Sequence, residues 1–428
     1  YEDLFPFIEK SMKGQENILW PGKIQWFSKS SGTTNAKSKL IPVTQEAIQD
    51  CHYKGGKDLL SIYYHNNPKA KLFSGKHLIL GGNTSLNKMN ENSYFGDLSA
   101  IIVKNLPFWA EIRRTPSREI TLMENWEEKI EKMAKAALKE DVKIIAGVPS
   151  WMLVLLNKII EVSEGKTINQ IWPNLELYMH GGVNFDPYKS QFDSLISSSK
   201  LNYYQTYNAS EGFFSLQNEN KADDMLLMLD YGIYYEFIPM DKFNGTNSET
   251  IDLEQVELNK NYALVISTNG GLWRYLIGDT VKFTSLSPFK IKVSGRTKHF
   301  INAFGEELII ENTDIAIKAA CEQTNSAFKE YTVAPKYLDG REKGTHQWLI
   351  EFSKEPKDMT VFTEILDIKL KQINSDYEAK RKMILSLPEV TNLERGTFNK
   401  WLKSKGKLGG QNKIPRLSNN RSFIEEIL

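Results

Sequence analysis

Between residues 120 and 165 a helical stripe, a short apolar strand and a second apolar helix follow one another, and this succession constrains the fold more than any other feature. In ITLMENWEEKIEKMAKAAL the residues Leu122, Trp126, Ile130, Met133 and Ala137 recur at helical spacing. VKIIAGV (142–148) is short, apolar and rich in β-branched residues, which predicts a buried strand. Pro149 and Ser150 then open an apolar helix that runs out near Gly165. LELYMHGG (175–182) and LNYYQTY (201–207) repeat the strand-then-loop pattern. The reading is an α/β layout with parallel strands and functional loops at their carboxyl ends.

The rest of the chain reads differently. From about Asp223, MLLMLDYGIYYEFIPM, YALVISTNGG and GDTVKF suggest antiparallel strands with tight turns, as a small barrel or meander against the α/β part. Near Arg296 a block begins that mixes helices (ENTDIAIKAACEQ, VFTEILDIKLKQI) with strands (KEYTVAP, HQWLIEF). The expectation is a large domain over 1–297 and a small α+β domain over 298–428, with a hinge near Lys298. A formal net charge of +1 names no polyanion or acidic membrane as a required partner. Apolar runs such as WMLVLL (151–156) are far short of a membrane span. Cys51 and Cys321 lie far apart without a CxxC or a nearby His pattern, which points to a reducing compartment and away from a structural zinc. There is no signal-peptide pattern, so a cytoplasmic, monomeric protein without nucleic-acid or membrane partners is expected. The chain starts at Tyr1 inside a predicted helix, EDLFPFIEKSMKG, and further residues are expected ahead of it.

Four stretches carry chemistry, each with an ordinary reading beside it. SSGTTNAKSK (30–39) sets Ser30, Ser31, Thr33 and Thr34 around Gly32, with Lys37 and Lys39 following. It lacks the GK[ST] of a Walker loop. Its hydroxyls and N–H groups suit phosphate oxygens, or it is a polar Ser/Thr turn. In TYNASEG (206–212), Glu211 suits Mg²⁺ and Tyr207 suits a flat base, or Ser210 is a helix N-cap. In WRYLIGDTVKF (273–283), Asp279 can accept from two vicinal ribose hydroxyls, or Gly278-Asp279 is a plain turn. SGRTKHFINAFGEEL (294–308) holds Arg296, Lys298 and Gly305 at the domain junction, or is a charged linker.

Taken in order, these blocks resemble the adenylate-forming superfamily of acyl- and aryl-CoA synthetases, luciferases and peptide-synthetase adenylation domains. SSGTTNAKSKLIPVT, TYNASEGFF and GTFNKWLKSKGKLGGQNKIPRL are similar to one branch, the auxin-responsive promoter family of acyl-acid amido synthetases. The resemblance runs over nearly the whole chain. Two departures are a helical segment that family members carry ahead of this start, and Ala36 where the phosphate loop often has glycine. The Lys- and Asn-rich composition points to a bacterial member.

The resemblance implies a two-step ligase that uses ATP and Mg²⁺. A carboxylic acid attacks the α-phosphate to give acyl-AMP, and the amine of an amino acid then displaces AMP. It assigns Ser30, Ser31, Gly32, Thr33 and Thr34 to the β- and γ-phosphates, with Lys39 as a nearby charge. Gly181 and Gly182 would run along the adenine, and Tyr207 would stack on it or wall its pocket. Ser210 would face the α-phosphate, Glu211 would ligate Mg²⁺, Asp279 would take the ribose hydroxyls, and Lys298 would sit at the hinge. Lys413 would bridge acyl carboxylate and α-phosphate in one orientation of a mobile small domain. The acyl pocket is expected between Asn83 and Trp151, with no residue assigned. Two alternatives stand beside this: an acyl-CoA ligase, with a thiol in the second step, and a protein that binds an acyl ligand or partner without turnover.

Overall fold

A computed structural model describes the chain except for residues 31–38, 82–85, 124, 184, 198–199, 245–247, 298–299, 307, 338–342 and 405–413. It divides into two compact units. One comprises Tyr1–Ser30 with Lys39–Thr297, and the other lies within Lys298–Leu428.

The first unit holds two sheets. The smaller has β1 (Trp26–Ser30), β2 (Lys39–Val43), β4 (Leu86–Lys88) and β5 (Tyr94–Gly96), in the order β2-β1-β5-β4. The larger has eleven strands. Its parallel half is β3 (Lys76–Leu80), β6 (Arg114–Thr115), β7 (Val142–Gly147), β8 (Leu177–Gly181) and β9 (Asn202–Ala209). Its antiparallel half is β10 (Gly212–Leu216), β11 (Met225–Leu227), β12 (Ile233–Pro239), β13 (Asn261–Thr268), β14 (Tyr275–Leu286) and β15 (Phe289–Arg296). The order is β12-β13-β14-β15-β11-β10-β9-β8-β7-β3-β6, so one hydrogen-bonded sheet joins the two halves through β9 and β10.

The parallel half forms as its pattern dictates. Val142, Ile144 and Ile145 of β7 are fully buried, and helices Trp126–Ala137 and Pro149–Val162 flank it in sequence. The first helix starts later than its stripe predicted. Asn125 caps it by accepting the Glu128 N–H at 2.9 Å, and this leaves Leu122 outside, at the end of a separate short helix, Arg118–Thr121.

The antiparallel block is a meander whose interior is aromatic. Phe237, Tyr262, Phe283 and Tyr235 are buried in one core cluster, with Phe237 and Phe283 edge to face at 5.2 Å. This half is also strongly rolled. β9 and β14 are separated by β10, β11 and β15, four spacings or roughly 19 Å in a flat sheet. Yet the Tyr207 hydroxyl on β9 lies 2.6 Å from Asp279 on β14. Only a sheet curled towards a barrel brings them together, with their side chains on the concave face.

The second unit is α+β. Strands β16 (Phe300–Ile301) and β17 (Leu308–Ile309) pair with each other. Strands β18 (Ala327–Lys336), β19 (Thr345–Lys354) and β20 (Glu389–Leu393) form a three-stranded sheet with helices Ile310–Gln323, Met359–Ile373 and Ser375–Met383. Ala334, Leu349, Phe398, Ile414, Ile424 and Ile427 make one of its apolar cores.

Candidate active site

Of the described candidate residues of the first unit, Tyr207, Ser210, Glu211 and Asp279 lie on the rolled part of its large sheet with Lys39 against it, while Gly181 and Gly182 belong to the parallel half. β1 and β2 form a hairpin base in which Ser30 pairs with Lys39, so the hydroxyl-rich stretch 31–38 springs from two fixed ends. Ser31, Gly32, Thr33 and Thr34 lie outside the described residues. Two residues before Ser30, the Ser28 hydroxyl donates to Ser210 Oγ at 2.9 Å. This ties the smaller sheet to the tip of the β9–β10 hairpin.

That tip is Ser210-Glu211, a two-residue turn between the paired residues Ala209 and Gly212. No helix follows Ser210, so the N-cap alternative does not apply. The reason is GFFSL: every residue of β10 is buried, and the chain continues as a core strand. Glu211 therefore projects from a tight hairpin. It is close enough to buried Tyr207 and Tyr275 for its charge to help raise both phenols, although burial is the larger cause in each. Both tyrosines stay protonated; the Tyr207 hydroxyl donates to Asp279, and the Tyr275 hydroxyl accepts from Lys39. Lys39 Nζ lies 3.5 Å from the Tyr275 hydroxyl and over the faces of Tyr1 (5.2 Å) and Tyr275 (5.7 Å), an aromatic cradle for a cation.

Asp279 does not sit in a turn. It lies inside β14, where Ala263 pairs with Thr280 but Val265 pairs with Leu276. The extra residues of β14 bulge out, and Gly278 adopts a φ of +92°, a conformation that side chains resist. The bulge directs a nearly buried carboxylate (8% exposed) onto the concave face. Arg296, its cross-strand partner on β15, donates from Nε to Oδ1 at 2.7 Å. The Tyr207 hydroxyl donates to Oδ2 at 2.6 Å. With one donor on each oxygen, the carboxylate keeps acceptor capacity on both.

Tyr207 is held firmly in the fold. It is 9% exposed, it belongs to the core cluster, and its ring packs 4.8 Å from that of Phe214. With the ring on Phe214, its hydroxyl reaches Asp279 on the concave face. Arg296 was noted at the junction without a role. The sequence marks it through the hinge pattern of an Arg two positions before Lys298, but not through Asp279, because that pairing depends on a register shifted by the bulge.

Gly181 and Gly182 close β8. A Cβ on Gly181 would lie 2.4 Å from the Thr206 carbonyl oxygen, so the close approach of β8 to β9 requires glycine there. Gly182 has a φ of +81°. Just before them His180 is buried against Phe185, with ring centroids 4.0 Å apart, and burial drives it down to about 3. Lys298 and Lys413 lie outside the described residues. In the acyl region, Trp126 and Trp151 meet edge to face at 6.0 Å, and buried Lys129 donates to the Gly81 carbonyl at 3.3 Å, with burial lowering its amine to about 8.

The chain is similar to known proteins in sequence and in fold. The chain is 22% identical over 514 residues to the 4-substituted benzoates-glutamate ligase GH3.12 of Arabidopsis thaliana, covering 97% of this chain and 85% of that protein. It is 24% identical over 525 residues to the jasmonoyl–L-amino acid synthetase GH3.5 of Oryza sativa subsp. japonica, covering 100% and 87%. Its fold is similar to that of the GH3.15 acyl acid amido synthetase in complex with 2,4-DB, with a TM-score of 0.60 at 16% identity, over 100% of this chain and 85% of that one. It also resembles a 2-hydroxyisobutyryl-CoA ligase in its thioester-forming state, with a TM-score of 0.56 at 11% identity, over 94% and 76%. Residues 1–201 match the GH3 family N-terminal domain, 226–296 the central domain and 311–422 the C-terminal domain. With all three domains present in one order along it, the chain belongs to the GH3 family.

Proposed function

We propose that this protein joins a small carboxylic acid to the amine of an amino acid through an acyl-adenylate. The observation that carries the reading is the buried Asp279 carboxylate, with a partner on each oxygen and both still able to accept, and with Glu211 close to the same Tyr207, in a GH3-family chain. In the first step a carboxylate oxygen of the acid attacks the α-phosphorus of ATP, and the bond to pyrophosphate breaks. In the second, the amine nitrogen attacks the acyl carbonyl, the bond to the AMP oxygen breaks, and the nitrogen loses a proton.

The residues fit ATP. Asp279 can take the two ribose hydroxyls, and Lys39 stands at the base of the hairpin from which residues 31–38 leave. They also fit Mg²⁺. Among the described residues no three His, Cys, Asp or Glu side chains form a cation cage. A lone carboxylate such as Glu211 suits an ion whose other ligands are phosphates and water. When bound, Mg²⁺ would neutralise charge on the phosphates during their displacement. Positioning and electrostatic stabilisation then account for the catalysis. In this reading Lys413 bridges the acid and the α-phosphate during adenylation, and a rotation about Lys298 admits the amine afterwards. In this reading the enzyme works in the cytoplasm as a monomer.

Exchange of labelled pyrophosphate into ATP, run over a panel of aryl and alkyl acids, tests the first step. AMP release with a mixture of amino acids, compared with coenzyme A, tests the second. Amino-acid-dependent release is expected. A strict requirement for coenzyme A would replace this reading with a thioester ligase, and no exchange with any acid would replace it with a binding protein.

A further inference from the structure

We infer that the β6 edge of the first unit docks on an anionic lipid surface, with Phe108 and Trp109 entering the headgroup layer inside a collar of lysines and arginines. The short helix Phe108–Arg113 leads directly into β6, the edge strand of the eleven-stranded sheet. At about 100° per residue, Phe108, Trp109, Ile112 and Arg113 fall on one side of this helix, and Ala110 and Glu111 on the other. The inner side is anchored. Glu111 is gripped by the buried guanidinium of Arg114, which donates from Nε at 3.1 Å and from Nη2 at 2.7 Å, and Arg118 adds a contact at 3.3 Å. Lys76 of β3 donates to the Ile112 carbonyl at 3.0 Å. The outer side faces solvent. No residue of this helix is buried, and Phe108 is 81% exposed, Ile112 49% and Trp109 44%. Phe73, also exposed, borders the patch through His77, which pairs with Arg114 across the strands.

A firmly mounted apolar projection marks a contact site. Its surroundings name the partner. Segments 69–76 and 104–119 carry seven lysines and arginines against two acids, Glu111 and Glu119, the first of them already held by Arg114 and Arg118. Lys71 and Lys104 are exposed, and they stand two residues from Phe73 and four from Phe108. A formal net charge of +1 hides this local excess. The apolar side chains at the centre expose roughly 400 Å² in total, since a whole aromatic residue carries about 150–250 Å². That is short of the ~800 Å² per partner of a stable dimer. Two copies would also bring like-charged collars together. A lipid surface accepts the same features without these penalties. Aromatic rings settle at headgroup depth, and each cation near an anionic leaflet adds attraction.

Co-sedimentation of the full chain with vesicles tests this, using phosphatidylcholine alone and phosphatidylcholine mixed equally with phosphatidylglycerol. The mixed vesicles should bind the chain at least about tenfold more tightly than the neutral ones, and raised salt should weaken that binding. Phe108→Ser combined with Trp109→Ser should lower affinity for mixed vesicles by at least about tenfold while keeping the wild-type thermal transition, because both side chains are exposed. Lys71→Glu combined with Lys104→Glu should bring the two vesicle types to within about threefold of each other. Ile368→Ser, at an exposed apolar residue of the second unit, should leave binding unchanged. The inference is overturned if neither vesicle type binds, if both bind the wild type equally, or if either double variant binds as the wild type does. An equal loss in Ile368→Ser would make the adhesion nonspecific, which also overturns it. Light scattering supplies the last check. A dimeric wild type that becomes monomeric with Phe108→Ser and Trp109→Ser would make the patch an interface between copies and overturn the lipid reading.

Discussion

The two halves of the eleven-stranded sheet contribute to the site in different currencies. The parallel half offers backbone: Gly181 and Gly182 end β8 with no side chain to present, and what they provide is close approach. The antiparallel half offers side chains: the hairpin tip projects Glu211, and a bulge aims Asp279 inwards beside Arg296. Parallel strands end in loops whose backbone groups are available, whereas an antiparallel ladder keeps its backbone paired and functions through what its residues carry. Changes in the antiparallel half should therefore affect chemistry first, and changes in the parallel half should affect stability first.

The largest effect is expected from Asp279→Ala. It removes the partner of a half-buried guanidinium and a buried phenol, so pyrophosphate exchange should fall by at least about 100-fold, and stability by about 2 kcal/mol. Near wild-type exchange would break the comparison at its strongest point. Glu211→Gln keeps the hairpin but loses the charge. Exchange should drop by roughly tenfold at low Mg²⁺ and recover in part as Mg²⁺ is raised. An unchanged Mg²⁺ titration would remove Glu211 from the metal.

Gly181→Ala tests the other half. Its Cβ would press the Thr206 carbonyl, so denaturant unfolding should show a loss of about 1–3 kcal/mol, with residual activity following the folded fraction. A fully stable but inactive variant would mean that β8 contributes chemistry after all. His180→Phe is a finer probe. His180 sits near 3 in the fold against about 6.5 unfolded, so the unfolded chain binds the extra proton between those values. Its stabilising effect is complete above about pH 6.5 and declines towards pH 3. The melting temperature of the wild type should fall more steeply from pH 7 to pH 5 than that of His180→Phe. The variant keeps the stack on Phe185 and removes Nδ1, a buried nitrogen with no hydrogen-bond partner among the described residues. The smallest change belongs to Lys135→Ala, which deletes an exposed i,i+4 pair with Glu131 and should leave the melting temperature essentially unchanged.

The sequence made the layout legible where a pattern is local. The stripe from Trp126 to Ala137, the VKIIAGV strand and the helix after Pro149 each depend on neighbours within a few positions. Asn125 misled only at the edge, since a cap competes with hydrophobic spacing for where a helix begins. Glu211 and Asp279 were singled out by motif, but the backbone that carries them was not foreseen. A Ser before a Glu reads as a cap until the burial of GFFSL is known, and Gly-Asp reads as a turn until β13 is seen to pass alongside. The inward Tyr207 and the Arg296–Asp279 pair were out of reach, because both depend on how far a whole sheet rolls and on registers shifted by bulges.

That roll has a consequence of its own. β9 pairs with β8 and β10, and β14 with β13 and β15, so the gap between β9 and β14 is crossed by a phenol and a carboxylate instead of a backbone ladder. A ladder fixes the girth of a tube in whole strands, whereas a side-chain clasp lets it vary continuously. The three-residue strand β11 lies on the opposite arc. Lengthening or shortening the connections around it would alter the width of the groove behind the clasp while every strand keeps its neighbours. A fold fastened in this way can be refitted to a differently shaped ligand from its far side, without touching the residues proposed to meet the nucleotide.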